Sequence, residues 1–133
     1  GVDFLKDKGI RTIVISGHSL GSTMGSYYLA NASDHTVRVF AIMSGGPGVP
    51  GDARMDSLGN FKKLNDVAIL DVYGSEDEES VRKAVSERRR LSQQFDGRRY
   101  QYLEIDGADH FYRGKQEDLV SELSSSLDKI LAP

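Results

Sequence analysis

An α/β fold, with a mostly parallel sheet of about four strands and flanking helices, is the class this sequence predicts. Three observations carry the prediction. Four short segments rich in β-branched and apolar residues (11–16, 37–43, 67–73 and 99–105) alternate with stretches of helical periodicity. Strands that alternate with helices pair in parallel and cross over with one hand. The chain of 133 residues has no internal repeat and no linker-like stretch, which suits a single domain over residues 1–133.

In chain order, Val2 to Lys8 reads as the tail of a helix, stopped by Gly9. Arg11 to Ser16 is β-branched and apolar and reads as a buried strand. The segment 20–31 has no proline and shows a helical face at Leu20, Met24, Tyr27 and Tyr28. Val37 to Met43 is nearly all apolar, as a strand covered on both faces should be. Ser44 to Gly51 holds four glycines and two prolines and reads as loop, with a short helix expected around Met55–Leu64. Val67 to Tyr73 is the third strand. Glu79 to Phe95 is a helix with apolar positions Val81, Ala84, Val85, Leu91 and Phe95. Arg99 to Ile105 alternates more than the other strands, so it belongs nearer a sheet edge. Lys115 to Leu131 closes the chain as a helix with Leu119, Val120, Leu123, Leu127, Ile130 and Leu131 on one stripe.

Composition narrows the function. Hydrophobic content of 38% and charged content of 28% describe a folded globular chain. No apolar run approaches the ~18 residues that cross a bilayer, so no membrane span is expected. Zero cysteines exclude disulfides and thiolate chemistry without deciding the compartment. The net charge of −3 divides unevenly: residues 82–99 hold seven basic against two acidic side chains, and residues 104–128 hold seven acidic against two basic. No aromatic residues interleave with the arginines as a base-stacking platform requires, so both runs read as solvated faces rather than a nucleic-acid site. There is no Walker loop, no Gly-x-Gly-x-x-Gly and no metal-spaced histidine cluster, so neither a cofactor nor a metal is expected.

The stretch that speaks most directly of chemistry is Gly17-His18-Ser19-Leu20-Gly21, placed between the first strand and the first long helix. A Gly-x-Ser-x-Gly in that context is a nucleophile elbow. The turn is so sharp that side chains two residues before and after the serine should collide, which glycine at 17 and 21 avoids. Ligands of an open parallel sheet bind beyond the carboxyl ends of its strands. Ser19 comes after the first strand, Gly74-Ser75-Glu76-Asp77 after the third, and Asp106-Gly107-Ala108-Asp109-His110-Phe111 after the fourth. Serine, acid and histidine therefore succeed three strands of one sheet, in that order.

These three segments resemble the signatures of the α/β-hydrolase superfamily, and Gly107-Ala108-Asp109-His110-Phe111 is similar to the histidine loop of its bacterial esterase and dienelactone-hydrolase-like branches. The resemblance spans nearly the whole chain and corresponds to the C-terminal half of the superfamily's domain, without the strands that normally precede the elbow. It implies Ser19 as nucleophile, Asp77 as the acid and His110 as the base, with Glu76 and Asp71 as the alternative acids. It further implies that His18 and Phe111 line the pocket, that Asp109 supports the histidine loop, and that the backbone N–H of Leu20 binds the oxyanion. A second oxyanion donor comes, in the superfamily, from the loop after its third strand. His35 sits in a polar loop expected opposite the site. Segment 44–65 lies where the superfamily inserts its lid.

The function so implied is a serine hydrolase acting on a small-molecule ester or related acyl bond through an acyl-serine intermediate. A reading from another class is a non-catalytic half-domain of hydrolase type, acting in binding or assembly. In either case an apolar strand at 11–16 with an open outer edge invites pairing, with a second copy of the chain or with a separate N-terminal segment.

Overall fold

A computed structural model describes residues 1–32, 36–94 and 99–132. Its elements in chain order are α1 (Val2–Asp7), β1 (Ile13–His18), α2 (Leu20–Asn31), β2 (Val37–Met43), α3 (Ser57–Phe61), β3 (Ala68–Gly74), α4 (Glu79–Leu91), β4 (Tyr100–Ile105) and α5 (Gln116–Leu131). A 3₁₀ turn at Ser92–Gln94 extends α4. His35 and Phe95 lie outside the described residues.

The four strands form one parallel sheet in the order β1-β2-β3-β4. Because spatial order matches chain order, crossovers of one hand carry their helices to the same face. Leu29 and Ala30 of α2, Phe61 of α3 and Leu91 of α4 accordingly pack with Phe40, Ile42 and Ile69 on one side of the sheet. The other side, with Val39, Ala41, Leu70 and Val72, is left to α5, which covers it with Leu119, Leu123, Leu127 and Ile130. Those four positions recur every three or four residues and so share one helix face. Val120 and Leu131, expected on the same stripe, lie off it and are exposed.

Two sequence expectations change at the other end of the sheet. β1 runs two residues later than expected and, as an edge strand, is only partly covered: Ile13 is buried, Val14 and Ile15 are half-buried and Ser16 is exposed. In α2 the faces are reversed. Ser22, Thr23 and Ser26 are the buried residues, whereas Leu20, Met24, Tyr27 and Tyr28 are exposed. The cause is close approach: a Cβ on Gly25 would stand 2.6 Å from the Phe40 ring, so only small side chains fit beneath this helix. Apolar periodicity identified a helix face there, but not the one turned toward the sheet.

The basic run on α4 also divides. Arg82, Lys83, Arg89 and Arg90 are exposed, but Arg88 is fully buried. It occupies the position that continues the Val81-Ala84-Val85 stripe and forks onto Asp71 of β3, with Nε donating to Oδ2 at 2.7 Å and Nη2 to Oδ1 at 3.0 Å. Nη2 also donates to the Gly45 carbonyl at 2.9 Å, and the Tyr100 hydroxyl to Asp71 Oδ2 at 2.7 Å. Burial opposes the Arg88 charge, yet the Asp71 carboxylate outweighs it and raises the guanidinium above its ordinary value.

Candidate active site

Every strand delivers its following loop to the same end of the sheet, and the residues singled out in sequence meet there. Ser19 leaves β1 with φ 53° and ψ −117°, a conformation costly for a residue with a side chain. Its N–H donates to the Met43 carbonyl at 2.8 Å, which ties the elbow to β2. Gly17 is what permits the turn: a Cβ there would fall on the Gly21 carbonyl and stand 2.7 Å from the Ser22 nitrogen. At Gly21 a Cβ would meet nothing within 4 Å. The steric demand attributed to both glycines thus rests on the first, because it is the backbone at Gly21, not its side-chain position, that comes close.

The acid loop and the histidine loop are built against each other. Asp77 N–H donates to the Gly74 carbonyl at 3.1 Å, closing the turn after β3. Ser75 N–H donates to the Ile105 carbonyl at 3.1 Å and Glu76 N–H to the Ala108 carbonyl at 3.0 Å, while Ser75 Oγ accepts from Gly107 N–H at 2.8 Å. A Cβ on Gly74 would collide with the Ala108 carbonyl, so glycine at the end of β3 lets the two loops touch. Asp109 braces its own loop, accepting from Phe111 N–H at 2.9 Å, Arg113 N–H at 3.1 Å and Arg113 Nε at 2.7 Å. Those bonds, led by the Arg113 N–H, hold its carboxyl below the ordinary value.

Through these loops His110 stands between serine and acid. Its Nε2 lies 3.0 Å from Ser19 Oγ and its Nδ1 2.8 Å from Asp77 Oδ1. The Asp77 side chain is fully buried and that of His110 is 13% exposed. Beside a carboxylate acceptor the proton belongs on Nδ1, which leaves Nε2 to accept the serine proton. Asp77 Oδ1 also accepts from Glu78 N–H at 2.8 Å. The alternative acids stand elsewhere: Asp71 is engaged by Arg88 and Tyr100, and Glu76 is exposed.

His18 and Phe111 flank the histidine. His18 Nε2–H donates to the His110 carbonyl at 2.7 Å, and its ring lies 5.1 Å from the His110 ring and 5.8 Å from that of Phe111. Phe111 is 62% exposed. Leu20, at the first position of α2, has no carbonyl four residues back within the helix, so its N–H is one of the donors a helix N-terminus presents. Segment 44–65 is braced on itself: Asp56 accepts from Gly59 N–H, and Gly48, with φ 76°, lies tightly against the Met55 carbonyl. A groove lined by Pro47, Leu58, Ser80, Lys83 and Ala84 separates this segment from α4.

Three residues that touch this site carry no role in the sequence reading. The Ser44 hydroxyl donates to Asp77 Oδ2 at 2.5 Å, and Tyr112 Oη lies 2.9 Å from Ser44 Oγ. Arg88 holds the loop at Gly45. Signals exist for two of them. Ser44 comes directly after a strand as Ser19 does, and Arg88 interrupts an apolar stripe opposite a lone aspartate in an apolar strand.

Known structures share this sheet and its flanking helices. A protein of unknown function from Agrobacterium tumefaciens, of the α/β-hydrolase type, superposes with a TM-score of 0.71 at 19% identity, over 98% of this chain and 56% of that one. A carboxylesterase of the archaeon Nitrososphaera gives 0.70 at 14% identity, over 97% and 69%. An α/β serine hydrolase homologue from Coxiella burnetii gives 0.69 at 16% identity, over 95% and 54%. The chain has the α/β-hydrolase fold and spans about 56% of the length of the Agrobacterium structure. No family model matches the sequence, and no curated protein does.

Proposed function

We propose that this chain carries the reacting groups of a serine hydrolase that cleaves an ester or related acyl bond. The observation that carries the reading is the pair of contacts at His110, 3.0 Å to Ser19 Oγ and 2.8 Å to Asp77 Oδ1. A serine hydroxyl is a weak nucleophile at neutral pH and needs a base to take its proton as it attacks. His110 Nε2 takes that proton, Ser19 Oγ bonds to the acyl carbon, and the carbonyl oxygen becomes an oxyanion facing the Leu20 N–H. Collapse expels the leaving group, which receives the proton from His110 and leaves an acyl-Ser19. Water then repeats the sequence and releases the acid. Asp77 keeps the imidazole oriented and stabilises its charged form. The solved structures that share the fold include esterases and other hydrolases, which supports the class of reaction.

The rival is a hydrolase-type half-domain that binds or assembles without catalysis, favoured by the 54–56% of the Coxiella and Agrobacterium structures that this chain spans. Incubation with a fluorophosphonate, then intact mass and peptide mapping, separates the two. A single adduct on Ser19, absent from Ser19→Ala, is expected. An unlabelled Ser19 in the folded chain sinks the hydrolase reading.

A further inference from the structure

Among the described residues three non-glycines take a positive φ: Ser19 at 53°, Ser44 at 48° and Tyr112 at 55°. Such conformations persist only where surrounding contacts over-determine them, and they gather at functional sites. Ser19 is the elbow. The other two touch each other, and neither has a part in the reaction described above.

Ser44 is held in place from both sides. Its N–H donates to the Val72 carbonyl at 2.8 Å, and the carbonyl of its neighbour Gly45 accepts from buried Arg88. This directs Oγ at Asp77 Oδ2, 2.5 Å away, with Ser44 fully buried and Asp77 nearly so. The two oxygens of Asp77 are thereby divided. Oδ1 serves His110 and the Glu78 N–H, while Ser44 is the short donor on Oδ2, the Gly74 N–H standing at 3.5 Å. A hydroxyl has one proton to give, and an ionised acceptor attracts it more strongly than a phenol does. The Tyr112 hydroxyl, whose one proton lies within reach of both Ser44 Oγ at 2.9 Å and the Val72 carbonyl at 3.1 Å, then becomes the donor that holds the serine oxygen from behind. Burial pushes the Tyr112 phenol up to about 12, so it keeps its proton at any ordinary pH.

The geometry points to Ser44 as a positioning residue for the Asp77 carboxylate, with Tyr112 orienting the Ser44 hydroxyl. Together they hold Oδ2 so that Oδ1 faces His110. β2, whose end carries none of the reacting groups, thus joins the other three strands in building the site. The kinetic consequence rests on the hydrolase reading; the hydrogen-bond consequence does not.

The test uses the whole chain as Ser44→Ala, Ser44→Gly and Tyr112→Phe. It has two readouts: ring ¹⁵N shifts of His110, which report the tautomer without any turnover, and kcat and KM on a short acyl ester. Both Ser44 variants should lower the Nδ1–H fraction and reduce kcat about tenfold with KM changed less than about twofold, as loss of one charge-assisted hydrogen bond implies. Glycine relieves the positive φ that alanine retains, so Ser44→Gly should melt higher than Ser44→Ala while restoring neither readout. Tyr112→Phe keeps the ring and should produce a smaller change in the same direction. An unchanged His110 tautomer in both Ser44 variants overturns the proposal, as does recovery of wild-type values by glycine. Should even the wild-type chain fail to turn over ester, the hydrolase reading falls and the tautomer alone decides the role of Ser44.

Discussion

At Ser19, His110 and Asp77 the reading can be broken one atom at a time. Ser19→Ala and His110→Ala should each remove esterase activity, by about a thousandfold or more, while circular dichroism and thermal unfolding stay close to wild type. Asp77→Asn should cost about ten-thousandfold in kcat, because an amide can present its N–H to Nδ1 and favour the wrong tautomer. A near-normal rate in Asp77→Asn, with Glu76→Gln impaired, would move the acid one residue back. The two elbow glycines make an opposite pair. Gly17→Ala puts a methyl on the Gly21 backbone and should lower stability by about 2 kcal/mol or more. Gly21→Ala fills open space near the start of a helix and should be neutral or stabilising by about 0.5–1 kcal/mol. Equal losses at both positions in urea unfolding would refute this account of the turn.

Between elements, the Arg88–Asp71 fork joins α4, β3 and the loop after β2 with both partners out of water. Removing one side leaves an uncompensated buried charge, so Arg88→Ala should cost about 3–5 kcal/mol in urea unfolding. A loss below about 1 kcal/mol would mean that the carboxylate finds water once the arginine is gone. Buried Tyr73 and Tyr112 and half-buried Tyr100 set an alkaline limit. Burial raises Tyr112 to about 12 and drives Tyr73 and Tyr100 upward as well, the latter two also beside Glu104 and Asp71. A phenol ionises near 10 in the unfolded chain, so these groups contribute stability that is complete below about pH 10 and is lost as pH rises toward their folded values. The melting temperature should therefore fall steeply above about pH 10, and Tyr112→Phe should flatten that fall. A wild-type profile that stays level from pH 9 to 12 would contradict the burial of these phenols.

The sheet as a whole ends at β1, whose outer edge has no partner strand among the described residues. Beside it α2 turns Leu20, Met24, Tyr27 and Tyr28 outward, with Met24 64% exposed. No helix among the described residues is long and apolar enough to cross a membrane. Unpaired backbone on an apolar edge and a neighbouring apolar face both favour association. We expect this chain to self-associate, or to take up a separate N-terminal segment, on that side. Light scattering with Ile15→Lys as control checks it: the variant should reduce association, and a stable, active monomer at micromolar concentration with no second chain present would refute both forms.

The α/β class, the parallel pairing of the strands and the convergence of the loops that carry Ser19, Asp77 and His110 were legible in the sequence, because they arise from local rules. Periodicity marks strands and helices, Gly-x-Ser-x-Gly between them marks the elbow, and a parallel sheet gathers the loops after its strands at one end. What the amino-acid order left open depends on which atoms come within reach across long separations. The buried face of α2 was decided by the Phe40 ring beneath Gly25, and the burial of Arg88 by Asp71 seventeen residues earlier. The second oxygen of Asp77 was assigned by Ser44, thirty-three residues away, held in a backbone conformation that no propensity of serine predicts. Hydrogen bonds of 2.5 to 3.0 Å are settled by tertiary packing, since a shift of about one ångström breaks them while leaving every local pattern intact.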